Sequence, residues 1–524
     1  MKQFLYSLSR LLIVFLTSSI VFFALVVVSG RILTPYLNKQ AQRVSSLAAR
    51  VLHKTVQIKQ FSVAWQGLTP IFHGSDVVIW DNKLTQPLLS VKHLNIAIDV
   101  FHSLLSGSIK LGAISVNGIE LVAHQTKDNQ LVFTGISTLF DQSSVSNSNA
   151  TNELIAWFLA EPQLSLDNVG LKFYPKSGPV WPPMRIILLL RNDGDRHQLS
   201  GRLRFVQEKL SEFSFKVDLK GSPLSSSQNH LSGPIYLHGE NVFLDRWFNQ
   251  WKPTLQLQNA RANFKIWANW QSDRFTQFQG LIDSLQAASI KINKQPAIAF
   301  LPFSTHLLWQ ATQQYNWSID AIVHDFGVQA WQKIPGIQGL DAYLHMTPTM
   351  GNIIAHANDC SIDFNKLFKA PIHLDGLTSQ LNWQQKEGEW IIQVPQLEAT
   401  NQDVAVNSQF SLLIPKLASQ SQISLLAHVK IQNSTHIANY LPLTVLGPEL
   451  NHWLSTAISK GSGLGGLVLQ GPLNQFPFDQ HNGTFLIDTQ ITDANLNYQR
   501  AWPSLQKING ELIFFGRQMQ VVID

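Results

Sequence analysis

The amino-acid sequence predicts a mostly β protein: one long, curled antiparallel sheet, open like a groove or trough, with a few short helices, behind a single N-terminal transmembrane helix. Two observations predict this fold class. An uncharged apolar stretch, Leu11–Gly30, lies near the start of the chain, and apolar residues then alternate with polar ones over about 400 residues. Such alternation, interrupted by Gly, Asn, Asp and Pro, is typical of strands with one apolar and one polar face.

The stretch Leu11–Gly30 lies between Arg10 and Arg31 and contains no charged side chain. As a helix it would rise about 30 Å, which matches the hydrocarbon core of a bilayer. We interpret it as an anchor rather than a cleaved secretory signal, because it is longer than a signal's apolar core and no A-x-A site follows it. The four basic residues between positions 31 and 50 outnumber those before the span. The positive-inside rule alone would therefore place the following chain in the cytoplasm, but that rule weakens for long translocated domains.

The composition excludes several classes of protein. Only 14% of the 524 residues are charged, against about 25% in a typical globular protein. The net charge is +5, with scattered Lys and Arg residues, which argues against a nucleic-acid partner. Cys360 is the sole cysteine, so internal disulfides and multi-cysteine zinc sites are excluded.

We divide the chain into three predicted regions: an anchor at 1–31, a juxtamembrane helix at 32–54, and an elongated, repetitive β region at 55–524. The second region has apolar residues at helical spacing, namely Leu33, Leu37, Ala41, Leu47 and Val51. Within the third region we predict a mobile loop near 141–152 and a packed helix near 448–460. For that helix, Pro448 suits the first turn, and Gly461 suits the position after the last turn.

The predicted strands follow the period-two pattern. In Thr55–Trp65 the apolar positions Val56 and Ile58 alternate, and the phase then shifts to Phe61 and Val63. Further predicted strands are Leu89–Val100, Ile109–Leu121, Leu164–Tyr174, Met184–Leu190, Gln198–Phe205, Phe213–Leu219, Ile235–His238, Thr254–Leu257, Ala262–Trp270, Phe275–Ser284, Ser304–Trp309, Tyr315–Val323, Gly339–His345, Gly351–Asp359 and Leu377–Trp383. Short helices are predicted at Leu154–Ala160 and Asp245–Gln250.

About two dozen short strands cannot form one flat sheet, because long open sheets twist, curl or split. Two architectures remain open at this point. Several β-sandwiches in a row would hide each apolar face on a partner sheet, whereas one sheet curled lengthwise would leave its apolar face towards a lumen. The alternation pattern is the same in both cases.

Several segments resemble the YhdP family, relatives of AsmA and TamB in the envelopes of diderm bacteria. They occur in the family's order over nearly the whole chain. They are Val56–Ile79 (VQIKQFSVAWQGLTPIFHGSDVVI), Leu89–Leu121, Gly233–Phe248 (GPIYLHGENVFLDRWF), Leu367–Val394, Tyr440–Phe478 and Asp493–Phe514.

The resemblance implies an inner-membrane anchor, a periplasmic body, and an apolar β-groove that carries phospholipid towards the outer membrane. Phospholipids, the inner membrane and other envelope proteins are the partners implied, with no cofactor, no metal and no nucleic acid. Family members usually continue into an AsmA-like C-terminal region, which we expect to be absent after Asp524.

Catalytic motifs give weak signals. Gly461, Gly463 and Gly466 form a GxGxxG string, but a dinucleotide site needs a strand before it and a helix after it, the reverse of the predicted order. We interpret these glycines as a helix cap and a turn. The pairs His324-Asp325 and Asp359-Cys360 are expected by chance, and neither a nucleophile elbow nor a Walker lysine motif occurs. The sequence therefore indicates a protein that is not an enzyme.

A lipid conduit needs a continuous apolar lining, since each buried methylene contributes about 0.8 kcal/mol. The candidate lining residues are the alternating apolar ones Leu94, Ile96, Ile98, Ile109, Leu111, Ile114, Val116, Ile119 and Leu121. The alternative is that these residues form ordinary sandwich cores. In that case the protein would be a non-catalytic envelope scaffold of stacked β-domains.

Overall fold

The structure, a computed structural model, describes residues 2–523 apart from 53, 81–86, 127–130, 135–156, 177–179, 208–210, 222–230, 246–248, 250–253, 272–273, 313–315, 333, 366, 441–447 and 500–501. The loop predicted near 141–152 lies outside the described residues, as do 154–156 of the helix predicted at Leu154–Ala160 and 246–248 and 250 of the one predicted at Asp245–Gln250. Residues 157–160 are helical, as predicted. The chain divides into two compact units: unit 1 is Met1–Glu240 with Asn269–Arg274, and unit 2 is Asn241–Ala268 with Phe275–Asp524.

Helix α1 runs from Lys2 to Leu37 and contains the predicted apolar stretch. Within the described residues, its segment Arg10–Leu37 is the one helix that is long and apolar enough to cross a membrane. Its apolar side chains are largely uncovered, as Leu11 and Phe15 show with 71% and 72% exposure. So much exposed aliphatic and aromatic surface on one helix favours a lipid environment over water.

The segment Ile32–Leu52, predicted as one helix, is two. α1 continues to Leu37, and α2 begins at Ala41 after a short break. The break is tied to the sheet, because the amide oxygen of Asn38 accepts a hydrogen bond from the backbone N–H of Val63 at 2.6 Å. The bond satisfies a donor on an edge strand that would otherwise remain open.

Unit 1 is built on a ladder of strands with one short helix between the third and fourth. The elements are β1 (Thr55–Gln66), β2 (Thr69–Trp80), β3 (Pro87–Ile98), α3 (Val100–Ser106), β4 (Leu111–Gln125), β5 (Leu131–Thr134), β6 (Gln163–Tyr174), β7 (Met184–Asp193), β8 (Arg196–Phe205), β9 (Glu212–Lys220) and most of β10 (Ser232–Phe243). Consecutive strands pair antiparallel from β1 to β4 and from β6 to β10. The exception is β6, which pairs with β4 in parallel.

Unit 2 holds a longer antiparallel ladder. Its strands are β11 (Leu255–Gln258), most of β12 (Arg261–Gln271), β13 (Arg274–Gln286), β14 (Ser289–Ile292), β15 (Ile298–Ala299), β16 (Ser304–Thr312), β17 (Trp317–Val328), β18 (Gly336–Met346), β19 (Met350–Ala357), β20 (Cys360–Asp363), β21 (Ile372–Leu374), β22 (Gly376–Lys386), β23 (Glu389–Thr400), β24 (Val404–Ile414), β25 (Gln422–Ile431), β26 (Ile458–Pro472), β27 (Thr484–Leu496), β28 (Leu505–Phe515) and β29 (Gln518–Ile523). Strands β11, β14 and β15 form a separate small sheet.

The predicted fold class is confirmed: the protein is mostly β, with few short helices and an open sheet. Among the described strands, β1 pairs only with β2, and β29 only with β28. The parallel pairing of β6 with β4 makes the sheet mixed rather than wholly antiparallel.

The late helix and the glycines after it differ from the prediction. Helix α4 begins at Pro448 as expected but ends at Ala457, and β26 begins at the next residue. The three glycines of the GxGxxG string therefore lie inside a strand, so their interpretation as a cap and a turn is wrong. Gly461 has φ +136°, and a Cβ there would lie 2.9 Å from Ala494 Cα, so a close approach of β27 explains this glycine.

A row of backbone kinks crosses the first strands of unit 1. Asp76 in β2, Gly118 in β4 and Asn168 in β6 have φ of 50°, 70° and 50°, and the strand register places Gly118 beside Asn168. A left-handed residue interrupts the alternation of side chains, and Asn, Asp and Gly tolerate that conformation best. Apolar residues three apart, such as Val116 and Ile119, can therefore face the same side.

The kink at Gly118 explains the phase shift between Val116 and Ile119. The row of kinks also separates two environments on the same strands. On one side of them, Val56, Val77, Ile79, Val91, Ile119, Leu121 and Val169 form a buried cluster. Ala48 and Ala49 of α2 (Ala41–Leu52) pack against this cluster. A second buried cluster, in unit 2, consists of Ala357, Cys360, Leu374, Leu377 and Ala399.

We expect Gly118→Ala to destabilise unit 1. The left-handed φ disfavours alanine by about 1–2 kcal/mol, and the new Cβ would lie 2.8–2.9 Å from the Lys92 side chain. Gly112→Ala in the same strand is the control, because its Cβ would meet neighbours only at ordinary contact distances of 3.6–3.7 Å. The midpoints of chemical denaturation of the full chain in detergent test this; equal midpoints for the two variants would contradict the structural role of the kink.

Candidate functional site: apolar stripes along the sheet

The strand register decides which apolar residues become neighbours across the sheet. Residues directly opposite each other on paired strands project to the same face, with Cβ atoms about 4.5–5.5 Å apart. A series of such pairs forms a row that crosses the strands and so follows the length of the sheet.

In unit 1, two neighbouring rows on one face are apolar or glycine throughout. The first row is Phe61, Gly74, Leu94, Val116, Leu166, Leu188, Gly201, Phe215 and Leu237. The second row is Val63, Phe72, Ile96, Ile114, Leu164, Leu190, Leu199, Val217 and Ile235. Together these rows are named the unit-1 stripe. At about 4.8 Å per strand, the stripe spans on the order of 40 Å.

The unit-1 stripe is covered only in part. In its second row Val63, Ile114 and Leu164 are buried, with 6%, 6% and 5% exposure. The remaining side chains of that row are half-buried. Partly accessible apolar side chains in continuous rows differ from the sealed cluster under α2, because a second apolar molecule could still bury them further.

The other face of the same strands is polar. The row between the two apolar rows is Ser62, His73, Asn95, Ser115, Ser165, Leu189, Ser200, Lys216 and Tyr236. Its members bond to each other, since His73 Nδ1 lies 2.7 Å from Asn95 Oδ1. This row of the opposite face is thus polar except at Leu189.

Unit 2 has its own stripe, built in the same way. One row is Gly280, Trp309, Ile319, Met346, Gly351, Trp383, Ile392, Leu412, Ile423 and Gly471. The neighbouring row is Ile282, Leu307, Ala321, Leu344, Ile353, Leu381, Val394, Phe410, Leu425, Leu469 and Phe485, with a register shift between Leu381 and Val394. These rows form the unit-2 stripe, which spans on the order of 50 Å at about 4.8 Å per strand.

Tryptophan and glycine alternate in part of the unit-2 stripe for a steric reason. A Cβ at Gly351 would lie 2.3 Å from Trp383 Cζ2, so the indole covers the glycine backbone. Trp309, opposite Gly280, packs on Phe278 with a ring-centroid distance of 4.5 Å. The large rings are therefore accommodated without widening the strand spacing.

The opposite face of unit 2 carries a polar row. It consists of Asp320, His345, Asn352, Asn382, Gln393, Ser411, Ser424, Gln470 and Thr484. Asp320 Oδ1 accepts a hydrogen bond from Tyr343 at 2.9 Å and lies 2.7 Å from His345 Nδ1. The hydrogen bond from His345 is the main cause that lowers the pKa of Asp320, and the bond to Asp320 raises the pKa of Tyr343. An open depression of about 900 Å³ on this face is lined by polar groups that include Gln422 and Gln470.

The candidate lining residues fall into four places. Leu94, Ile96, Ile114 and Val116 lie in the unit-1 stripe, and Ile98 and Leu111 face each other beyond a register shift at the end of β3. Ile119 and Leu121 belong to the buried cluster that α2 closes. Ile109 lies outside the strand, in the loop after α3, and is 76% exposed.

Sequence reasoning missed most of both stripes. Strand β2 contributes Phe72 and Gly74, but its mixed composition does not predict a strand. The predicted strands end at Trp383, so the row residues of β23 to β27 are not among them. Nothing in a single strand shows which residue of the next strand lies opposite. In the sequence, the kinks are indicated only by a shift in the phase of the apolar alternation near Asn or Gly.

Residues that could act chemically are dispersed. Among the described residues, no group of three or more His, Cys, Asp or Glu side chains could hold a metal ion. His324 Nδ1 lies 3.6 Å from Asp341 Oδ1. Cys360 is buried in its cluster, and burial raises the pKa of its thiol, which makes it a poor nucleophile.

Comparisons with known proteins show the family of this chain. The family model described as YhdP protein matches residues 1–321 and 302–524. A curated relative, the intermembrane phospholipid transporter YhdP of Escherichia coli strain K12, is 21% identical over 202 residues. That alignment covers 38% of this chain and 15% of the relative, so the match spans a small part of the relative's length. Because the family matches extend over the whole sequence, the chain belongs to the YhdP family.

Proposed function

We propose that this protein carries phospholipid along the apolar stripes, by non-covalent sliding, between the inner membrane and the outer membrane. The single observation that carries the proposal is the continuity of the stripes across successive strands. Acyl chains lying along a stripe would replace water on half-buried Leu, Ile and Phe side chains, at about 0.8 kcal/mol per methylene. Each strand adds an apolar residue or a glycine to both rows, so an acyl chain that moves along them meets no charged or polar side chain.

The polar demands of a phospholipid are also compatible with an open sheet. A headgroup needs water or polar partners, because burying it without hydrogen bonds is costly. An open sheet leaves one side of the bound lipid in solvent. Neither a catalytic group nor a cofactor is required for such a process.

The comparisons support the substrate class. The relative is named an intermembrane phospholipid transporter, and this chain shares its family. The rest of the proposal, including the direction of movement and the apolar stripe as the path, is inferred from the geometry.

We place α1 in the inner membrane as a single span and the bulk of the chain in the periplasm. The exposed apolar surface of α1 supports the anchor. The sheet that begins directly after α2 supports a position for the first strands close to the lipid source.

The alternative function is a non-catalytic scaffold. The closed clusters under α2 and around Cys360 are what stacked β-domains would contain. The half-buried stripes favour the carrier, because a scaffold gains no stability from apolar rows that remain partly open.

We expect Ile96→Asp to lower the amount of bound lipid with the fold retained, because the unit-2 stripe is unchanged. The change puts a charge into the unit-1 stripe, where an acyl chain would have to pass it without a hydrogen-bonding partner. The matched control is Asn95→Asp, which adds the same charge on the polar face of the same strand. Phospholipid that co-purifies with the full chain is extracted with organic solvent and measured by mass spectrometry.

Two outcomes would contradict the carrier. The first is wild-type protein that is folded but contains no phospholipid. The second is an equal phospholipid content in Ile96→Asp and Asn95→Asp. If Ile96→Asp unfolds the chain, Leu425→Asp with the control Ser424→Asp repeats the test in unit 2, where Leu425 is half-buried and Ser424 exposed.

We expect the chain after α1 to react from the periplasmic side. The test variant carries two changes. Cys360→Ser removes the native thiol, which is 3% exposed, and Gln422→Cys supplies one accessible thiol. A membrane-impermeant maleimide should label this variant in cells whose outer membrane alone is permeable. Labelling only after the inner membrane is broken would place the body in the cytoplasm, as the positive-inside rule alone suggests.

A further inference from the structure

The connection between β3 and β4 exposes an unusual apolar patch. Helix α3 (Val100–Ser106) and the loop after it present Phe101, Leu104, Leu105 and Ile109 with 56%, 43%, 71% and 76% exposure. Single exposed apolar residues are normal on a surface, but a contiguous patch marks an interaction site. These four residues are named the α3 patch.

The α3 patch lies beside the apolar span. The rings of Phe23 in α1 and Phe101 in α3 meet edge to face with centroids 6.1 Å apart. Phe23 precedes Arg31 by eight residues in the same helix, which corresponds to about 12 Å at 1.5 Å per residue.

Arg31 is held at the level of the sheet. One of its guanidinium nitrogens donates to Gly67 O at 2.6 Å, and the guanidinium lies 5.8 Å from the Trp65 ring centre. Because Phe101 contacts α1 well inside the apolar segment, α3 lies at a level at which the proposed anchor would be surrounded by lipid.

Several polar groups of this connection are bonded within it. Asp99 Oδ1 accepts from the His102 backbone N–H at 3.0 Å, and Asp99 Oδ2 lies 2.6 Å from His102 Nδ1. Ser103 Oγ accepts from the Lys110 N–H at 2.8 Å, and Ser106 Oγ donates to His102 O at 2.8 Å. Local satisfaction of this kind is what a lipid environment requires, since no water is present there to replace missing partners.

We propose that the α3 patch inserts into the leaflet of the membrane that α1 leaves at Arg31, as a second membrane contact of unit 1. The proposal rests on the anchoring of α1 proposed above. The occupant is the acyl region of a phospholipid bilayer, because the patch continues the exposed apolar surface of α1 at Phe23.

The insertion would have a consequence for lipid entry. Helix α3 joins the end of β3 to the start of β4, and the unit-1 stripe contains Ile96 and Ile114 near those ends. Lipid next to the α3 patch would therefore be a few residues from the stripe, without crossing the polar face of the sheet.

The test uses the full chain with Cys360→Ser and one new thiol. Leu105→Cys places an environment-sensitive nitrobenzoxadiazole probe in the α3 patch. Val206→Cys is the matched control, because Val206 is 49% exposed and follows the end of β8, at the end of the strands opposite α3. The proteins are reconstituted into phosphatidylethanolamine and phosphatidylglycerol vesicles that carry nitroxide-labelled acyl chains.

We expect the probe at Leu105 to show blue-shifted emission and to lose most of its intensity to the nitroxide lipids, while the probe at Val206 is unaffected. If protein that floats with the vesicles shows no quenching at Leu105, the insertion is overturned and the anchoring by α1 stands. If the protein does not float with the vesicles, both the anchoring and the insertion are overturned.

Discussion

The register of hydrogen bonds between neighbouring strands is the constraint on which the rest of the structure depends. The side-chain period of a strand is two, so a slip of one residue moves every side chain to the other face. The stripe residues Ile96 and Ile114 are neighbours only because β3 and β4 pair in one register. Apolar rows over many strands therefore require each successive pairing to be correct, and the sealed clusters at α2 and Cys360 help to hold those registers.

The backbone kinks let one set of strands serve two purposes. Without them, strict alternation would place Val116 and Ile119 on opposite faces, because these residues are three apart. With Gly118 left-handed between them, Val116 packs against the buried cluster that contains Ile119. One part of the strands then lies in the buried cluster, against which Ala48 and Ala49 of α2 pack, and the other part remains partly open. The left-handed backbone costs little where Asp, Asn or Gly occupies the position.

The junction between α1 and β1 links the span to the sheet. Trp65 donates its indole N–H to Thr34 at 2.9 Å, and a Cβ at Gly30 would lie 2.6 Å from that indole. Together with the bond from Val63 to Asn38, these contacts cover the free edge of the first strand, which protects it from pairing with another chain. The edge strand is therefore positioned by the same helix that we propose as the anchor.

The sequence by itself determined the elements that depend on local patterns. Period-two alternation identified most strands, uncharged length identified the apolar span, and Pro448 marked the start of α4. It could not decide where Ile32–Leu52 breaks, because the break depends on a bond from Asn38 to a strand residue distant in the chain. It also could not separate Ile119 and Leu121, sealed by α2, from Ile96, which remains partly open. Only the tertiary structure decided which alternating residues form the stripes, since cross-strand register and coverage by helices are set by contacts between distant segments.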